Sequence, residues 1–145
     1  MTQHTTYEIR PIGVVRSTLE RREDAPRQGW AGAPDAWVEL DDAYRDGLLG
    51  VERGTELVIL TWFHLADRAI LQVRPHHDPE QRVRGVFVTR SPVRPNPIGI
   101  HPVRVLEVDG TRLHVEPLEA VEGTPVVDIK VAMKNRYEDT EGRDA

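Results

Sequence analysis

The sequence contains no cysteine, and this absence excludes three kinds of site at once. Disulfide bonds, thiolate metal centres and thiol nucleophiles all depend on that residue. No apolar run approaches the roughly 20 residues that a membrane-spanning helix needs, and the polar N-terminus lacks the apolar region of a secretory signal. We therefore expect a cytoplasmic protein without disulfide bonds.

Motifs for common cofactor sites are also missing. No Gly-x-Gly-x-x-Gly follows a predicted strand, which argues against a dinucleotide-binding Rossmann domain. The nearest approach to a metal motif is the triplet His76, His77 and Asp78, inside a turn bounded by two prolines. Because the side chains of consecutive residues rarely converge on one ion, we do not expect a metal site.

The charges are unevenly distributed along the chain. With 24 acidic and 19 basic residues the net charge is −5, which argues against a general affinity for nucleic acid. The stretch from Gln81 to Arg104 nevertheless has no acidic residue and carries five arginines: Arg82, Arg84, Arg90, Arg94 and Arg104. This pattern indicates a local site for an anionic partner, with a solvated arginine face as the alternative.

Short alternating or β-branched runs predict an all-β protein. The predicted strands cover residues 7–17, 36–40, 56–63, 69–74, 86–89, 103–108, 111–116 and 126–129. Asp109-Gly110 is a strong hairpin signal, and Asp41 or Asp42 is suited to cap one short helix that ends at Gly50. Because closure removes exposed edges, we predict a small antiparallel β-barrel with one short helix and long functional loops.

The 145 residues suit one domain, which we place at residues 7–134 between a disordered N-terminus, 1–6, and a polar tail, 135–145. The strands at 56–63 and 86–89 are predicted to be buried. Gly13, inside the first strand, marks either a bulge or a close backbone approach. The long loop 18–34 carries Trp30, which either offers a stacking plane or pins the loop to the core.

Four prolines fall between Pro92 and Pro102, directly after the predicted strand 86–89. Each proline restricts the backbone and removes an N–H donor, so this segment is predicted to be neither a helix nor a central strand. We expect a stiff loop that presents Arg90, Ser91, Arg94 and Asn96 at fixed angles. A proline-rich turn with solvated arginines is the alternative.

The residues of this loop resemble a known family. Thr89-Arg90-Ser91 followed by Arg94-Pro95-Asn96-Pro97-Ile98-Gly99 is similar to the central motif of the TsaA-like family, the TrmO-type methyltransferases. Further matches follow the same order, so that the resemblance spans roughly residues 8–130. They lie at Ile12 to Ser17, Pro26 to Gln28, Phe63-His64 and Glu122 to Lys130.

This resemblance implies a β-barrel that binds S-adenosyl-L-methionine and forms a homodimer. The implied activity is N6-methylation of the threonylcarbamoyl-modified adenosine beside the anticodon of tRNA. Val131-Ala132 stands where the family commonly has Pro-Tyr, and the additional C-terminal domain of many bacterial tRNA enzymes is missing. Two alternatives therefore stay open: methylation of a small metabolite, and a module that binds the cofactor without turnover.

The resemblance also implies roles for individual residues. Those implied to hold the cofactor are Gln28, Gly29, His64, Leu65, Arg90, Asn96, Ile100, Pro117, Leu118 and Glu119. Glu119 falls where an acidic residue would accept hydrogen bonds from the ribose hydroxyls, whereas a structural role is the alternative for His64. Asp128 and Lys130 are the catalytic candidates on the acceptor side, with a surface ion pair as the alternative. If the acceptor is tRNA, its phosphates would meet Arg82, Arg84 and Arg94.

Overall fold

The computed structural model describes residues 4–21, 24–25, 32–75 and 78–133. These residues form eight strands: β1 (Gly13–Arg16), β2 (Ala36–Leu40), β3 (Glu56–Trp62), β4 (Gln72–Val73), β5 (Arg84–Gly85), β6 (Ile98–Asp109), β7 (Arg112–Glu116) and β8 (Pro125–Val131). They also form two 3₁₀ helices, Asp42–Leu48 and Val86–Val88. None of the helices in the described part of the chain is long and apolar enough to span a membrane.

Six of the strands close into a barrel in the order β1-β2-β7-β6-β3-β8. Every pair is antiparallel, including β1 with β8, which completes the ring. Strands β4 and β5 form a separate two-stranded sheet. The prediction of a small antiparallel β-barrel is therefore confirmed.

Alternate residues of the strands fill the interior of the barrel. In β6, for example, the odd-numbered residues from Gly99 to Val105 are buried, while the even-numbered residues from Ile98 to Arg104 are exposed. The core is mostly valine and leucine: Val15, Val38, Leu40, Leu57, Ile59, Val103, Val105, Leu113, Val115, Leu118 and Val126 are its larger members. Burial of each such side chain favours folding by about 1.5–3 kcal/mol, so the barrel interior is the main source of stability.

Gly13 lies where β1 approaches β2 most closely. A Cβ atom on this residue would lie 2.2 Å from the carbonyl oxygen of Glu39 and 2.9 Å from the Cα of Leu40. Both neighbours are backbone atoms that cannot move without displacing β2. The close-approach interpretation of Gly13 is therefore confirmed, because no other residue fits the space.

The predicted hairpin and the predicted helix are both found at the expected positions, but the residues of the hairpin loop and the type of helix differ from the prediction. The β6–β7 hairpin pairs Asp109 with Arg112, so its two loop residues are Gly110 and Thr111. Gly110 has φ of +61°, a conformation that glycine adopts without steric cost. The predicted helix is a 3₁₀ helix, Asp42–Leu48, and Gly50 follows it with φ of +95°.

Several strand boundaries were predicted wrongly. The first strand covers only residues 13–16 of the predicted 7–17, and the strand predicted at 69–74 is reduced to 72–73. Strand β3 covers residues 56–62 of the predicted 56–63, and the prediction that it is buried on both faces is wrong for its outer face, which is half-buried. For the first strand and for residues 69–74, apolar composition alone therefore overestimated how far the chain is paired.

The prediction of a buried strand at residues 86–89 is wrong. Val86 is 1% exposed, but Phe87 and Val88 are 76% and 72% exposed. The carbonyl of Val86 accepts hydrogen bonds from the Thr89 backbone and hydroxyl and from Arg94. Because these local donors take the place of a neighbouring strand, the segment folds as a 3₁₀ helix.

The prediction that the proline segment contains no central strand is also wrong. Strand β6 begins at Ile98 and includes Pro102, which lies opposite Val58 of β3. Val105 bonds through its N–H to Thr55, on the β3 side, so by alternation the nitrogen of Pro102 faces the β7 side. Pairing with β7 begins only at Arg104, so the missing N–H of Pro102 costs no ladder hydrogen bond.

Candidate functional site

The family-like loop, residues 86–97, is attached to the end of the barrel where β3 ends and β6 begins. The Phe63 N–H donates to the carbonyl of Pro97 over 2.8 Å, which joins the last residue before β6 to the first residue after β3. Residues from both strands and from the loop therefore meet at one end of the barrel.

Arg94 holds the loop in shape. Its guanidinium donates to three backbone carbonyls, those of Val86 (3.0 Å), Thr89 (3.2 Å) and Ser91 (2.9 Å). The Thr89 hydroxyl accepts from the Ser91 N–H at 3.1 Å and adds a further crosslink. Arg94 was predicted as a phosphate contact, and its guanidinium is already engaged inside the protein.

Arg90, by contrast, extends from the same loop into solvent. Among the described residues, no hydrogen bond or ion pair involves its side chain. A rigid loop with one exposed guanidinium is suited to bind an anionic group, because little conformational entropy is lost when the ligand arrives. The stiff, arginine-presenting loop predicted from the prolines thus has its structural counterpart at Arg90.

Asn96 is fixed by a residue that the sequence did not single out. Arg68 donates to the Asn96 side-chain oxygen over 3.1 Å and to the Pro95 carbonyl over 2.7 Å. The same guanidinium lies 5.1 Å from the centre of the Trp62 ring, within the range of a cation–π contact. Arg68 therefore anchors the second half of the loop to the end of β3.

A buried polar chain runs across the barrel at this end. The Thr61 hydroxyl lies 2.7 Å from Nε2 of His101, and Nδ1 of His101 lies 2.6 Å from Oε1 of Glu119. The side chain of His101 is 1% exposed and that of Glu119 is 11% exposed. The chain thus extends from the interior of the barrel to a carboxylate at its surface.

Sequence reasoning missed Thr61 and His101. Glu119 was singled out by the resemblance, but its partner was not. The available signal was the alternation of β6, which places residue 101 on the same face as Val103 and Val105. A histidine on an apolar inward face needs polar partners, and this requirement would have pointed to the chain.

Gly99 and Phe63 enclose the polar chain. A Cβ atom on Gly99 would lie 2.4 Å from the Thr61 hydroxyl oxygen and 2.6 Å from the Phe63 ring. The Phe63 ring meets His101 edge-on, with ring centres 5.8 Å apart. The glycine of the family-like motif therefore leaves the space in which the threonine and the phenylalanine contact the histidine.

Other residues predicted to hold the cofactor lie around the same end. His64 and Leu65 are exposed directly after β3, and Ile100 is exposed on the outer face of β6. Pro117 follows a cis peptide bond, and the Leu118 side chain is fully buried in the core. Gln28 and Gly29, together with Trp30, His76 and His77, lie outside the described residues.

The acceptor-side candidates lie on the outer surface of β8. The ammonium of Lys130 is 3.8 Å from a carboxylate oxygen of Asp128, and both side chains are more than half exposed. They stand beside Val58 and Leu60 of β3, which pair with Lys130 and Asp128 respectively. This arrangement agrees with the alternative of a surface ion pair, and a catalytic role stays a prediction.

The arginines predicted to contact phosphate are divided between two settings. Arg82 and Arg84 are exposed, the latter in β5 opposite Val73. Neither side chain makes a hydrogen bond or an ion pair to another described residue. Arg104 lies opposite Glu56 in the barrel wall. Of these arginines, the ones that remain available to an anionic partner are Arg82, just before β5, and Arg84, within β5.

The site combines a carboxylate side chain, Glu119, with an exposed guanidinium, Arg90. Glu119 offers carboxylate oxygens that accept hydrogen bonds from hydroxyl or ammonium groups, whereas Arg90 offers donors for a carboxylate or a phosphate. A bound molecule carrying both a diol and a carboxylate would match these two groups. The exposed Leu65 and Ile100 add apolar surface for an uncharged ring.

The amino-acid sequence is similar to a known family of proteins. Residues 14–136 match the model of the tRNA-methyltransferase O N-terminal domain. A protein of Archaeoglobus fulgidus named "S-adenosyl-L-methionine-binding protein" is 45% identical over 122 residues, which are 84% of this chain and 86% of the relative. A protein of Methanothermobacter thermautotrophicus, named a probable S-adenosyl-L-methionine-binding protein, is 43% identical over 122 residues, 84% of this chain and 87% of the relative.

Solved structures agree with the sequence relatives. The crystal structure of TrmO from Pseudomonas aeruginosa superimposes with a TM-score of 0.71 at 31% identity and covers 94% of this chain. A second TrmO crystal structure gives a TM-score of 0.72 at 34% identity and also covers 94% of this chain. The chain spans 59% and 61% of the length of these two proteins.

Proposed function

Because the chain belongs to the tRNA-methyltransferase O family, which it matches over residues 14–136, we propose that it is an S-adenosyl-L-methionine-dependent methyltransferase that acts on tRNA. The proposed reaction is N6-methylation of the threonylcarbamoyl-modified adenosine beside the anticodon. The observation that carries this proposal is the loop 86–97, which Arg94 holds in shape while Arg90 stays exposed.

The residues at this end of the barrel fit the cofactor. Glu119 would accept hydrogen bonds from the ribose hydroxyls, Arg90 would bind the carboxylate of the methionine part, and Leu65 would offer apolar surface to the adenine. The remaining residues proposed to hold it are Gln28, Gly29, His64, Asn96, Pro117 and Leu118, together with the backbone at Ile100. When bound, the cofactor supplies a methyl group already activated on its sulfonium, so the protein chiefly orients the reactants.

Methylation of a nitrogen that carries a hydrogen releases a proton. We assign the acceptance of this proton to the carboxylate of Asp128, whose ion-pair partner is the ammonium of Lys130, 3.8 Å away. Asp128→Asn keeps the shape of the side chain and removes the base. The expected result is a fall of about 10²-fold or more in kcat with an unchanged affinity for the cofactor. An unchanged kcat would reduce the pair to a surface contact.

Arg90 provides the sharpest test of the donor site. Arg90→Ala is expected to lower kcat/KM at least about tenfold, equivalent to about 1.4 kcal/mol, with an unchanged melting temperature. Arg53→Ala, which removes an exposed arginine from a distant turn, is the matched control and should leave kcat/KM unchanged. Equal values of kcat/KM in the two variants would show that Arg90 is only a solvated surface residue without a role in the donor site.

Binding of the cofactor is measurable without any acceptor. Isothermal titration of the stripped protein should give binding heat below about 1 mM ligand, which corresponds to a free energy more favourable than about −4 kcal/mol. The identity of the acceptor is tested separately by mass spectrometry of tRNA nucleosides from a deletion strain. Loss of the N6-methyl group supports tRNA, whereas normal tRNA together with measurable cofactor binding favours a small metabolite or a binding module.

The arginines supply a second test of the acceptor. Phosphate contacts release counterions, so tRNA binding should weaken steeply between about 50 and 200 mM salt. Arg82→Gln and Arg84→Gln should each lower the slope of log K against log salt by about one unit. Arg94 belongs to the same proposal, but its contacts within the loop predict an additional loss of stability. A rate that is flat over this salt range would favour an uncharged acceptor.

We also propose that the protein forms a homodimer through the outer face of β3 and β6. This face is apolar although it lies outside the barrel, and the register aligns Val58 with Pro102, Leu60 with Ile100 and Trp62 with Ile98. Asp128 and Lys130 border it with one charge of each sign. A twofold axis across such a face would bury the apolar surface of each copy against that of the other.

Light scattering at micromolar concentration tests the dimer. Wild-type protein should show twice the mass of the chain, and Ile98→Glu should show the mass of a single chain. Val108→Glu, which places the same charge at an exposed position near the far end of β6, should remain dimeric. A monomeric wild type would contradict this part of the proposal and leave cofactor binding untouched.

A further inference from the structure

The polar chain of Thr61, His101 and Glu119 has a fixed direction. An ionised carboxylate can only accept hydrogen bonds, so Nδ1 of His101 must carry the hydrogen in the 2.6 Å contact with Glu119. In the neutral ring Nε2 then accepts the hydrogen of the Thr61 hydroxyl, 2.7 Å away. Both contacts of the histidine are thereby satisfied, and the carboxylate sets the tautomer.

The surroundings keep the imidazole in one orientation. Thr61 is fully buried on β3, and the ring of Phe63, the first residue after that strand, contacts the histidine edge-on. Thr61 and Phe63 also pack closely against Gly99, two residues before the histidine on β6, so that no room is left even for a methyl group there. The ring therefore cannot turn without breaking a hydrogen bond or colliding with its neighbours.

Glu119 depends on this ring for its own orientation. It belongs to the connection between β7 and β8, not to a strand, and its side chain has three rotatable bonds. His101 fixes Oε1 at the buried end, so the remaining acceptor positions of the carboxylate face outward, where the side chain is 11% exposed. A free glutamate would lose conformational entropy on binding a ligand, and this one is ordered beforehand.

We infer that His101, itself held by Thr61, is a positioning residue that orients the Glu119 carboxylate toward the ribose hydroxyls of the cofactor. This inference rests on the proposed function, because it requires Glu119 to bind the ribose. It adds two residues to the site that do not touch the cofactor. A histidine that serves only to satisfy the barrel interior would stabilise the fold without affecting the recognition of hydroxyl groups.

Two ligands separate these roles in a titration experiment. S-adenosylhomocysteine carries both ribose hydroxyls, and its 2′,3′-dideoxy analogue carries neither. Wild-type protein should bind the first at least tenfold more tightly than the second. His101→Gln places its amide near the position of Nε2 and leaves Glu119 without a donor, so the ratio of affinities should fall below about threefold.

His101→Asn is the matched variant. Its amide nitrogen comes near the position of Nδ1 and can still donate to Glu119, so the ratio should recover to at least half of the wild-type value. Thr61→Val keeps the shape of the threonine and removes only the hydroxyl, and it should give an intermediate ratio. If His101→Gln does not fold, the comparison of His101→Asn and Thr61→Val with wild type still decides the result.

Each outcome has a definite meaning. Variants that bind both ligands more weakly by the same factor would overturn the positioning role. The proposal that the wild-type protein binds the cofactor would still stand. A wild-type protein that binds S-adenosylhomocysteine without discriminating the hydroxyls would also overturn it. A wild-type protein that binds neither ligand would contradict the proposed function itself.

A second measurement needs no ligand. Long-range ¹H–¹⁵N correlation spectra distinguish the tautomers of a neutral histidine, and the resonances of His101 are identified by their loss in His101→Asn. We expect the hydrogen at Nδ1 in the wild type and in Thr61→Val. A neutral ring with its hydrogen at Nε2 would contradict the direction of the chain and overturn the inference.

Discussion

Substitution of Gly99 by alanine would test how tightly the candidate site is built. The added methyl group would meet the Thr61 hydroxyl oxygen at 2.4 Å and two Phe63 ring carbons at 2.6 Å. Ordinary contacts of a Cβ atom begin near 3.4 Å, so the Thr61 hydroxyl and the Phe63 ring must each move by about 1 Å. Gly99 is paired within β6, so its backbone cannot easily retreat.

Two responses are available, and both are costly. If the neighbours keep their contacts, the added methyl group overpacks the interior, which costs about 1–3 kcal/mol. If Thr61 rotates away, its hydroxyl leaves Nε2 of His101, and a buried polar group without its partner costs a similar amount, about 1–3 kcal/mol. We expect a loss of about 2–3 kcal/mol. At about 2–4 °C per kcal/mol for a domain of this size, the melting temperature should fall by about 4–12 °C.

Gly47→Ala is the matched control for the same chemical change. Gly47 lies inside the 3₁₀ helix Asp42–Leu48, its φ is not positive, and no atom lies within 4 Å of the position of an added Cβ. Alanine there should stabilise the protein by about 0.4–1 kcal/mol, because it lowers the entropy of the unfolded chain. The two variants are therefore expected to shift stability in opposite directions.

Denaturant titration and thermal melting measure both variants against wild type. A lower midpoint with an unchanged slope would show that Gly99→Ala altered stability and not the compactness of the unfolded state. A midpoint for Gly99→Ala equal to or above that of wild type would refute the reasoning. In that case the space between β3 and β6 would be able to accept a methyl group.

Two further predictions concern contacts elsewhere in the chain. Arg94→Ala removes the guanidinium from three backbone carbonyls of the loop, of which, among the described residues, only that of Val86 keeps other donors, from Thr89, and it should cost about 1–3 kcal/mol in thermal melting. Arg90→Ala should stay within about 0.5 kcal/mol of wild type, and the reverse order would contradict the division between a structural and an exposed arginine. The hydrogen bond from His114 lowers the pKa of Asp35, so this contact should stabilise the fold above the ordinary aspartate pKa of about 4 and be lost as the pH falls through the lower folded value. Asp35→Asn should therefore flatten that part of the stability–pH profile, and an unchanged profile would show that the pair does not contribute.

The strands of the barrel could be predicted because their pattern is carried by the side chains themselves. Strand β2 was predicted at residues 36–40 and is found there, since its buried and half-buried residues alternate without interruption. The hairpin at Asp109-Gly110 was predicted for the same reason, because two alternating runs flank a residue that tolerates positive φ. Closure was predicted because it removes exposed strand edges.

The segment after β5 could not be predicted from its composition. Val86 to Val88 has strong β propensity, but the carbonyl of Val86 accepts its hydrogen bonds from Thr89 and Arg94 within the same loop. β propensity describes how well a side chain packs on a sheet surface. It does not determine which donor forms a hydrogen bond to a given backbone carbonyl. The deciding donor was an arginine eight residues away, whose position depends on the fold of the loop.

The prediction for the proline segment was wrong for a different reason. The rule that proline disrupts a central strand was applied without knowing which neighbouring strand the proline nitrogen faces. Proline is excluded from a central strand only where its missing N–H faces a pairing partner. At Pro102 the nitrogen faces the β7 side, where pairing begins two residues later, at Arg104. Strand β6 could therefore begin at Ile98, and this extension is what carries His101 into the barrel.

The same extension explains why the site was only partly visible in the sequence. Glu119 was found through resemblance to a family, but its orientation depends on a histidine that lies inside the barrel only if β6 starts before Pro102. That histidine in turn requires Thr61 on β3 and a glycine at position 99, so three residues from two strands fix one carboxylate. Local rules conflict most often at sites of this kind, where the fold must support a geometry that no single segment prefers. An inward polar residue in an otherwise apolar strand is therefore the signal to look for first, and here one of its partners lies on the strand that pairs with it and the other in a connection between strands.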